Sequence, residues 1–371
     1  MIPFHRPTLT GLEEKYLADC IRENHFSGGG SFTRACTDFL KKEFSFPEVF
    51  LTTSCTAALE MAALLIDIQP GDEVIVPSYT FVSTANAFAL RGAQIRFADS
   101  CKDHPNIDPQ SVRKLINEKT KAIVIVHYAG MACDMAAIMK LAMEKNIFLI
   151  EDAAQCVFSQ YNDTPLGSFG DLAAFSFHET KNIHCGEGGA LVVNNKKLRA
   201  QAEILLEKGT NRIEFLRGKV SSYEWKSIGS SYTPSELNAA FLLAQLTAGK
   251  DITQQRISNW NFYFEQLHNV KSEHWGLPQV EDYMRHNAHH FFIRCKDKET
   301  RDRLISWFAK NDIKVVFHYL PLHQSEFAKQ HYGDVSLPHA EAFGDALIRL
   351  PLYHSITKAE MEQVIKTLLA F

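Results

Sequence analysis

The sequence predicts an α/β protein whose core is a doubly wound, mostly parallel sheet flanked by helices. Short apolar runs recur through the first ~250 residues, and segments rich in helix-forming residues lie between several of them. The length of 371 residues, compared with the ~150 typical of one domain, adds the expectation of two to three folding units. We therefore expect a large domain over residues 1–249 and a smaller C-terminal α/β domain over residues 250–371.

Seven segments have the character of buried strands, because each is short and almost entirely apolar. They are Val49–Leu51, Glu73–Pro77, Ile95–Phe97, Ala122–Val126, Ile147–Ile150, Ala173–Phe177 and Ala190–Val193. Such runs suit strands that are covered on both faces, as in a parallel sheet. Phe169–Asp171 leaves little room for a helix before Ala173, so we expect antiparallel hairpins at that side of the sheet.

Helices are predicted between these strands and after them. Thr56–Leu65, Met135–Lys145 and Lys196–Lys208 are rich in strong helix formers, and a long polar helix is predicted over Thr247–Leu267. Beyond it, mixed short elements such as His290–Ile293 and Val315–Phe317 indicate the smaller domain.

Composition excludes several classes of function. The 39 Lys and Arg residues against 43 Asp and Glu residues give a formal net charge of −4, which is too balanced for a general nucleic-acid or membrane-surface binder. No apolar run approaches the ~20 residues that span a bilayer, and no secretory h-region follows Met1. The eight cysteines form no CxxC pair, so we expect free thiols in a reducing cytoplasm.

Two polar positions follow buried strands and could carry chemistry. Asp152 ends the apolar run that begins at Phe148, at the strand end where open α/β sheets place ligands, although such residues also cap helices. Lys181 follows the run Ala174–Phe177 and precedes the glycine-rich segment Gly186–Gly189. A partly desolvated lysine there would have a lowered pKa and a nucleophilic amine, as Schiff-base lysines require; the alternative is a solvated loop lysine.

A third feature is the hydroxyl-rich junction Leu51–Ala58 between a strand and a helix start. Unpaired amides and the positive end of the helix dipole make such a junction an anion site, while a plain N-cap needs only one of its hydroxyls. Gly28–Gly30 follows no strand and is expected to be a flexible loop.

The three features together describe one kind of site. The Lys181 amine, the strand-end carboxylate of Asp152 and the anion site at the junction Leu51–Ala58 are the parts needed to hold pyridoxal phosphate.

The sequence resembles the DegT/DnrJ/EryC1/StrS sugar aminotransferase family over essentially its whole length. Six ordered blocks carry the resemblance: Ser54–Leu59, Pro77–Phe81, Glu151–Gln155, Gly167–Asp171, Phe175–Phe177 and Thr180–Asn182. The resemblance implies the pyridoxal-phosphate-dependent transferase fold of the aspartate aminotransferase type, fold type I. It also implies pyridoxal 5′-phosphate as cofactor and a homodimer with shared active sites.

The resemblance assigns roles to individual residues. Lys181 would form the imine with the cofactor and shuttle the proton, Asp152 would pair with the pyridine nitrogen, and Gln155 would lie near the phenolic oxygen. Phe81 would stack on the ring. The phosphate would be held by a group of residues around the helix start: Ser54, Cys55, Thr56 and Ser176.

Two positions depart from the family pattern. Many members have glycine where this chain has Cys55, so the turn must accept a Cβ atom or differ in shape. Ser231 occupies the position of a family asparagine that reaches the cofactor phosphate of the partner subunit, and it is shorter and lacks the amide.

Within the family, His178–Asn182, His127–Gly130 and Phe317–His323 most resemble the enterobacterial-common-antigen branch. That branch transfers an amino group from L-glutamate to C4 of dTDP-4-dehydro-6-deoxy-D-glucose. Candidate contacts to the nucleotide-sugar substrate are Glu179, His184, Arg212, His318 and Tyr319. His323 and Arg217 are weaker candidates, and a packed or solvated side chain is an equal alternative for these histidines and loop arginines.

Several alternatives stay open at this point. The family also contains enzymes that aminate 3-keto sugars, and the same fold serves non-catalytic ligand sensors. Sugar dehydratases of this fold carry a histidine in place of the imine lysine, so Lys181 argues against that activity. His286, His289 and His290 lack a supporting carboxylate or cysteine framework, so we predict no metal site, and no G-x-G-x-x-G motif follows the first strand to indicate a dinucleotide.

Overall fold

The computed structural model describes residues 1–371. The strands up to residue 200 are β1 Val49–Thr52, β2 Glu73–Pro77, β3 Gln94–Ala98, β4 Thr120–Val126, β5 Phe148–Asp152, β6 Gln160–Tyr161, β7 Thr164–Pro165, β8 Leu172–Ser176 and β9 Gly189–Val193. The helices up to residue 267 are α1 Glu13–Glu23, α2 Ser31–Phe44, α3 Cys55–Leu65, α4 Ser83–Ala89, α5 Pro109–Leu115, α6 Met135–Lys145, α7 Arg199–Leu206, α8 Arg212–Leu216, α9 Glu236–Thr247 and α10 Gly249–Leu267.

Seven of these strands form the central sheet, in the order β1-β9-β8-β5-β4-β2-β3. The strands β3, β2, β4, β5 and β8 run parallel, while β9 is antiparallel to both β8 and β1. The predicted strands are all present, and the antiparallel hairpin expected near Ala173 is the β8–β9 pair. The apolar pattern missed that β1 also runs antiparallel to its neighbour, because burial alone does not report strand direction.

Burial follows position in the sheet. The five residues of β2 are all buried, whereas the edge strand β3 alternates, with Gln94 and Arg96 exposed. One large core cluster covers one face of the sheet and continues into the C-terminal region, and a smaller cluster lies under α5 and α6 on the other face. The sheet is therefore covered on both faces, as its apolar strands require.

The C-terminal region contains β10 Trp275–Gly276, β11 Met284–Arg285, β12 Phe291–Cys295, α11 Lys298–Lys310, α12 Glu326–Tyr332, α13 Pro338–Ala346, β13 Leu347–Leu350 and α14 Lys358–Leu369. The strands β10, β12 and β13 form a small antiparallel sheet, while β11 pairs with β6. None of the fourteen helices has the length and apolarity that a membrane crossing requires.

Four local predictions are corrected. The helix predicted over Lys196–Lys208 is a short 3₁₀ turn followed by α7, and it stops before Lys208 and Gly209, which both have positive φ. The long helix predicted over Thr247–Leu267 begins at Gly249, because Thr247 ends the separate helix α9, which the sequence analysis missed. Val315–Phe317 forms only a single bridge, from Val316 to Arg349.

The fourth correction concerns Gly28–Gly30, which was predicted to be a flexible loop. Gly30 is buried, and its amide donates to the Glu236 carboxylate of α9 at 3.0 Å; the Phe32 amide donates to the same group at 2.8 Å. A carboxylate from a distant helix therefore caps the N-terminus of α2 and fixes the glycine segment.

Candidate active site

A cavity of about 680 Å³ opens at the carboxyl ends of the parallel strands. It is lined from β5 by Asp152, from the β8–β9 connection by Lys181, from the start of α3 by Thr56 and from the segment after β2 by Phe81. Parallel strands end at one edge of a sheet, so residues far apart in the sequence meet there.

Lys181 lies in the loop that connects β8 to β9. The loop is closed at its base because the Phe177 amide donates to the Gly188 carbonyl and the Cys185 amide donates to the Phe177 carbonyl, both at 2.8 Å. Burial lowers the pKa of the Lys181 amine, the neighbouring Asp152 carboxylate opposes this shift, and the Arg349 guanidinium adds to it. The amine is therefore easier to deprotonate than an exposed lysine and can act as a nucleophile.

Asp152 is held by hydrogen bonds at the end of β5. Thr84 Oγ1 donates to Asp152 Oδ2 at 2.7 Å and the Ala154 amide donates to Oδ1 at 3.2 Å, while Thr84 also pairs with Thr80 at 2.8 Å. Burial raises the pKa of Asp152, and these donors together with Lys181 oppose the rise. A cationic ring nitrogen placed against this carboxylate would favour its charged form.

The neighbouring Glu151 has a structural role. It accepts hydrogen bonds from the Gly167, Phe169 and Gly170 amides at 2.7–2.8 Å and contacts His127 Nε2 at 3.0 Å. Because the Cys133 amide donates to His127 Nδ1, Nε2 is the donor toward Glu151. The pair fixes the loop before β8 and therefore the strand that leads to Lys181.

The N-terminus of α3 has the geometry that the predicted anion site requires. Ser54 Oγ accepts from the Ala57 amide at 3.0 Å as the N-cap, and Thr56 Oγ1 pairs with Ser83 Oγ at 2.8 Å. Cys55 starts the helix, where helical backbone accepts a Cβ atom, so the missing family glycine does not disturb the turn. Burial raises the pKa of the Cys55 thiol, which therefore stays protonated.

Gly189 permits the close approach of this turn to the sheet. A Cβ atom at position 189 would lie 2.3 Å from the Ser54 carbonyl carbon and 2.5 Å from the Cys55 nitrogen. Ser176, at the end of β8 beside Gly189, lines the same part of the cavity. The candidate anion site is thus built from a helix start and two strand ends.

Gln155 connects the end of β5 to the C-terminal region. Its Oε1 accepts from the Ala129 amide at 2.6 Å, and its Nε2 donates to the Tyr319 hydroxyl at 3.2 Å. Tyr319 stacks on His318 with ring centroids 3.6 Å apart, and His318 Nδ1 pairs with the Tyr128 hydroxyl at 2.7 Å. Phe81, 57% exposed, stands at the cavity rim with its ring 6.4 Å from that of Tyr319, where it is free to stack on a ligand.

Ten of the predicted site residues therefore line one cavity, namely Ser54, Cys55, Thr56, Phe81, Asp152, Gln155, Ser176, Lys181, His318 and Tyr319. The structure does not bring four others into the cavity of this chain. Glu179 is exposed and His184 is tied to the Thr8 carbonyl at 2.9 Å. Arg212 pairs with Glu207 at 3.2 Å, and Ser231 is exposed and bridges to Glu207.

The weaker candidates also lie elsewhere. His323 is buried between Ser78 at 2.6 Å and Glu341 at 3.1 Å, and Arg217 pairs with Glu203 on the surface. The three histidines considered for metal binding have separate partners: His286 contacts Trp260, His289 contacts Asn182 and His290 contacts Arg349.

Sequence reasoning missed several cavity residues. Phe4 and His5 reach the cavity from the N-terminal segment, and His289, His290 and Arg349 reach it from the C-terminal region. Only Arg349 carried a local signal, since a charged residue interrupts the apolar run Leu347–Leu350. His289 and His290 were considered only as metal ligands, and nothing in the local pattern of Phe4 and His5 marks them as cavity residues.

The donor set fits pyridoxal phosphate. A nucleophilic amine, a buried carboxylate and a helix N-terminus with hydroxyls share one cavity, as imine formation, ring-nitrogen pairing and phosphate binding require. Together with the mixed sheet flanked by helices, this site defines the class of protein: a transferase of fold type I, the pyridoxal-phosphate-dependent aspartate aminotransferase type.

The comparisons with known proteins specify the family. The family model described as the DegT/DnrJ/EryC1/StrS aminotransferase family matches residues 7–369. The chain belongs to this family of pyridoxal-phosphate-dependent aminotransferases, and the predicted family, fold and cofactor are thereby confirmed.

Solved structures agree over almost the full length. The aminotransferase TlmJ from Streptoalloteichus hindustanus is 26% identical with a TM-score of 0.92, and the match covers 100% of this chain and 98% of that one. Spr1654 from Streptococcus pneumoniae in its PMP form is 25% identical with a TM-score of 0.92, covering 99% and 98%. DesV from S. venezuelae in complex with a ketimine intermediate is 27% identical with a TM-score of 0.88, covering 96% and 93%.

Proposed function

We propose that this aminotransferase converts dTDP-4-dehydro-6-deoxy-D-glucose to dTDP-4-amino-4,6-dideoxy-D-galactose with L-glutamate as amino donor. This is the activity of dTDP-4-amino-4,6-dideoxygalactose transaminase in surface polysaccharide biosynthesis. The observation that carries the transaminase chemistry is the shared cavity of Lys181 and Asp152 beside the N-terminus of α3. The sugar specificity is supported by the resemblance of His178–Asn182 and Phe317–His323 to that branch of the family.

Pyridoxal phosphate supplies an aldehyde for imine formation and a ring that withdraws electrons from the carbon losing its proton. In the proposed assignment, Asp152 keeps the ring nitrogen protonated, and Thr84 and Ala154 hold Asp152 in place. The first-turn amides of α3, with Thr56 and Ser176, bind the phosphate, and Phe81 covers the ring.

Lys181 Nζ would then take the proton from the α-carbon of the donor and deliver it to the cofactor carbon that bears the nitrogen. In the sugar half of the cycle it would move a proton from that carbon to the sugar carbon that accepts the amino group. Its lowered pKa suits this role, since a base must be deprotonated at the working pH. The Gln155–Tyr319 hydrogen bond holds the two sides of the cavity together around the reacting atoms. Glutamate and the keto sugar react in separate halves of the cycle, with Lys181 moving the proton in both.

We also propose that the enzyme is a homodimer whose active sites are completed across the interface, as the family resemblance implies. The segment that contains Ser231 supports this, because large apolar side chains lie exposed just before it. Trp225 is 81% exposed and Ile228 is 62% exposed. Exposed apolar patches of this kind mark contact surfaces, and analytical ultracentrifugation tests the assembly.

The experiment for the activity supplies the purified protein with glutamate and, separately, with 3-keto and 4-keto dTDP-sugars, and identifies the product by NMR. We expect amination at C4 of the 4-keto sugar only. Amination at C3 would assign the enzyme to the 3-aminotransferases, and no product from either sugar would favour the ligand-sensor function. Lys181→Ala should abolish turnover, while Lys140→Ala on the exposed face of α6 should not.

A further inference from the structure

Asn182 follows Lys181 directly in the β8–β9 connection, and its side chain is buried. Its Nδ2 donates to the Asn287 carbonyl at 2.9 Å, and its Oδ1 lies 3.0 Å from His289 Nδ1. Because the Asn287 carbonyl can only accept, the Nδ2 group must face it, which leaves Oδ1 as an acceptor toward the ring. His289 Nδ1 therefore carries a proton and donates to Asn182 Oδ1.

The other ring nitrogen of His289 is a bare acceptor. Burial lowers the pKa of His289 well below its ordinary value, and four neighbouring side chains that can carry positive charge add to the shift: Lys181, Arg256, Arg349 and His318. The ring is therefore neutral at pH 7, and because Nδ1 carries its proton, Nε2 has a free lone pair. Nε2 makes no hydrogen bond within the chain, and the ring lines the active-site cavity.

Buried donors fix the backbone around this ring. Arg256 of α10 donates through Nη2 to the Ala288 carbonyl at 3.0 Å and to the His289 carbonyl at 2.9 Å. From the other side, Asn287 Nδ2 donates to the Gln155 carbonyl at 2.9 Å. The ring cannot move without breaking several buried hydrogen bonds, so its Nε2 is held at one place in the cavity.

We infer that His289 is a positioning residue for Lys181, whose Nζ donates a hydrogen bond to His289 Nε2 whenever the amine is free of the cofactor. This inference rests on the proposed function, since Lys181 moves the proton in that reaction. A free amine has one lone pair, which must point at the carbon that loses the proton. A hydrogen bond from one of its N–H groups to a fixed acceptor sets that direction.

Three observations favour Lys181 as the donor to this acceptor. Both side chains line the same cavity, and Lys181 has the largest effect on the pKa of His289 among its charged neighbours. Asn182, which binds the ring, is bonded to Lys181 in the chain, so the backbone that carries the amine is tied to the ring. The cation of Arg349 is occupied elsewhere, because its Nη1 donates to His290 Nε2 at 3.3 Å.

Two substitutions separate the positioning role from a purely structural one. In His289→Asn, the side-chain amide can replace the Nδ1 group and keep the bond to Asn182, but no acceptor remains at the place of Nε2. In His289→Gln, the longer side chain brings its carbonyl oxygen near the place of Nε2, while Asn182 loses its donor. A structural role of the ring would spare the first variant, whereas the positioning role spares the second.

The measurement follows the cofactor by absorbance in single turnovers of the holoenzyme, with glutamate and, separately, with the keto sugar. His289→Asn should slow both half-reactions about 10- to 100-fold and leave the Kd of each substrate within about threefold. Deuterium at the α-carbon of glutamate should slow this variant more than the wild type, because proton transfer is the impaired step. His289→Gln should lose less than about tenfold, and His274→Asn, at an exposed position, should lose nothing.

A crystal structure of the wild type with pyridoxamine phosphate covers the case in which the variants do not fold, since Lys181 is free in that form. We expect Lys181 Nζ within about 3.2 Å of His289 Nε2. An amine beyond this reach, or an Nε2 bound to another group instead, would overturn the inference. A His289→Asn variant at least as active as His289→Gln would overturn it too. A wild type that reacts with neither substrate would instead contradict the proposed function, and the crystal structure would still test the inference.

Discussion

At the scale of single residues, the electrostatics of the site depend on Lys181 and Asp152. Both side chains are placed by their neighbours in the sequence, Lys181 by the β8–β9 connection and Asp152 by the end of β5. Burial shifts the pKa of Lys181 down and that of Asp152 up, and each group moderates the shift of the other. Replacing a charged group or a hydrogen-bond donor here should therefore change how stability or activity depends on pH.

Lys181→Met should stabilise the cofactor-free protein at neutral pH. The pKa of Lys181 is lower in the folded than in the unfolded protein. At a pH between the folded and unfolded pKa values, the unfolded state therefore binds more protons than the folded state. The stability of the wild type rises with pH over this range. The variant lacks this dependence, so its advantage should shrink as pH rises toward the unfolded value. Urea unfolding at a series of pH values checks this, with Lys140→Met as control; an advantage that does not vary with pH would contradict the pKa shift.

Thr84→Val removes the hydroxyl donor to Asp152 with little change of shape. The buried carboxylate oxygen would lose its 2.7 Å partner, which should cost about 1–3 kcal/mol of unfolding free energy. Because that hydrogen bond lowers the pKa of Asp152, the acid limb of the kcat/KM profile should move to higher pH. Thr247→Val, at an exposed helix position, should leave both the profile and the stability unchanged.

At the scale of elements, the site depends on how closely the start of α3 approaches the sheet. The N-cap Ser54, the amides proposed to bind the phosphate and Thr56 all belong to one turn, and Thr56 pairs with Ser83 of α4. Gly189 in β9 leaves the space in which this turn lies.

Gly189→Ala should therefore weaken cofactor binding. The added methyl group would meet the backbone of Ser54 and Cys55, which cannot move without displacing the turn, at a cost of about 1–3 kcal/mol. We expect a raised Kd for pyridoxal phosphate in an absorbance titration. Gly276→Ala in β10 is the matched control, because no atom lies within 4 Å of its added Cβ; equal affinity in the two variants would show that the turn is not the phosphate site.

At the scale of the whole molecule, the N-terminal segment joins the C-terminal region to the central sheet across the cavity. Ile2 donates to the Asp312 carbonyl at 2.7 Å and accepts from the Lys314 amide at 3.0 Å. Further along, the Thr8 carbonyl accepts from Gln245 at 2.8 Å and pairs with His184. Phe4 lies between these anchors, against Arg349.

Ile2→Asp should detach this segment at its first anchor. Ile2 is 5% exposed, and the burial of such a side chain contributes about 1.5–3 kcal/mol. We expect faster hydrogen exchange at the Lys314 amide, because the Ile2 carbonyl that accepts from it would no longer be held in place. Met1→Asp, at a position 87% exposed, should leave this exchange unchanged; unchanged exchange in Ile2→Asp would contradict the anchoring role of Ile2.

The sequence by itself determined the local elements and the family. The apolar runs predicted the strands of the central sheet, and the strand-end positions of Asp152 and Lys181 marked the cofactor chemistry, since side-chain type and periodicity are local properties. The helix α9 was not predicted, because its apolar residues do not form one clear face.

Only the tertiary structure decided which distant residues share the cavity. The sequence suggested His184 as a substrate contact and Ser231 as a contact to the cofactor phosphate of the partner subunit, and in this chain they contact Thr8 and Glu207. Arg349, more than 160 residues after Lys181, reaches the site because β13 pairs with β12 beside it. Such contacts depend on strand order and chain direction, which are properties of the packed molecule and leave no periodic pattern in the sequence.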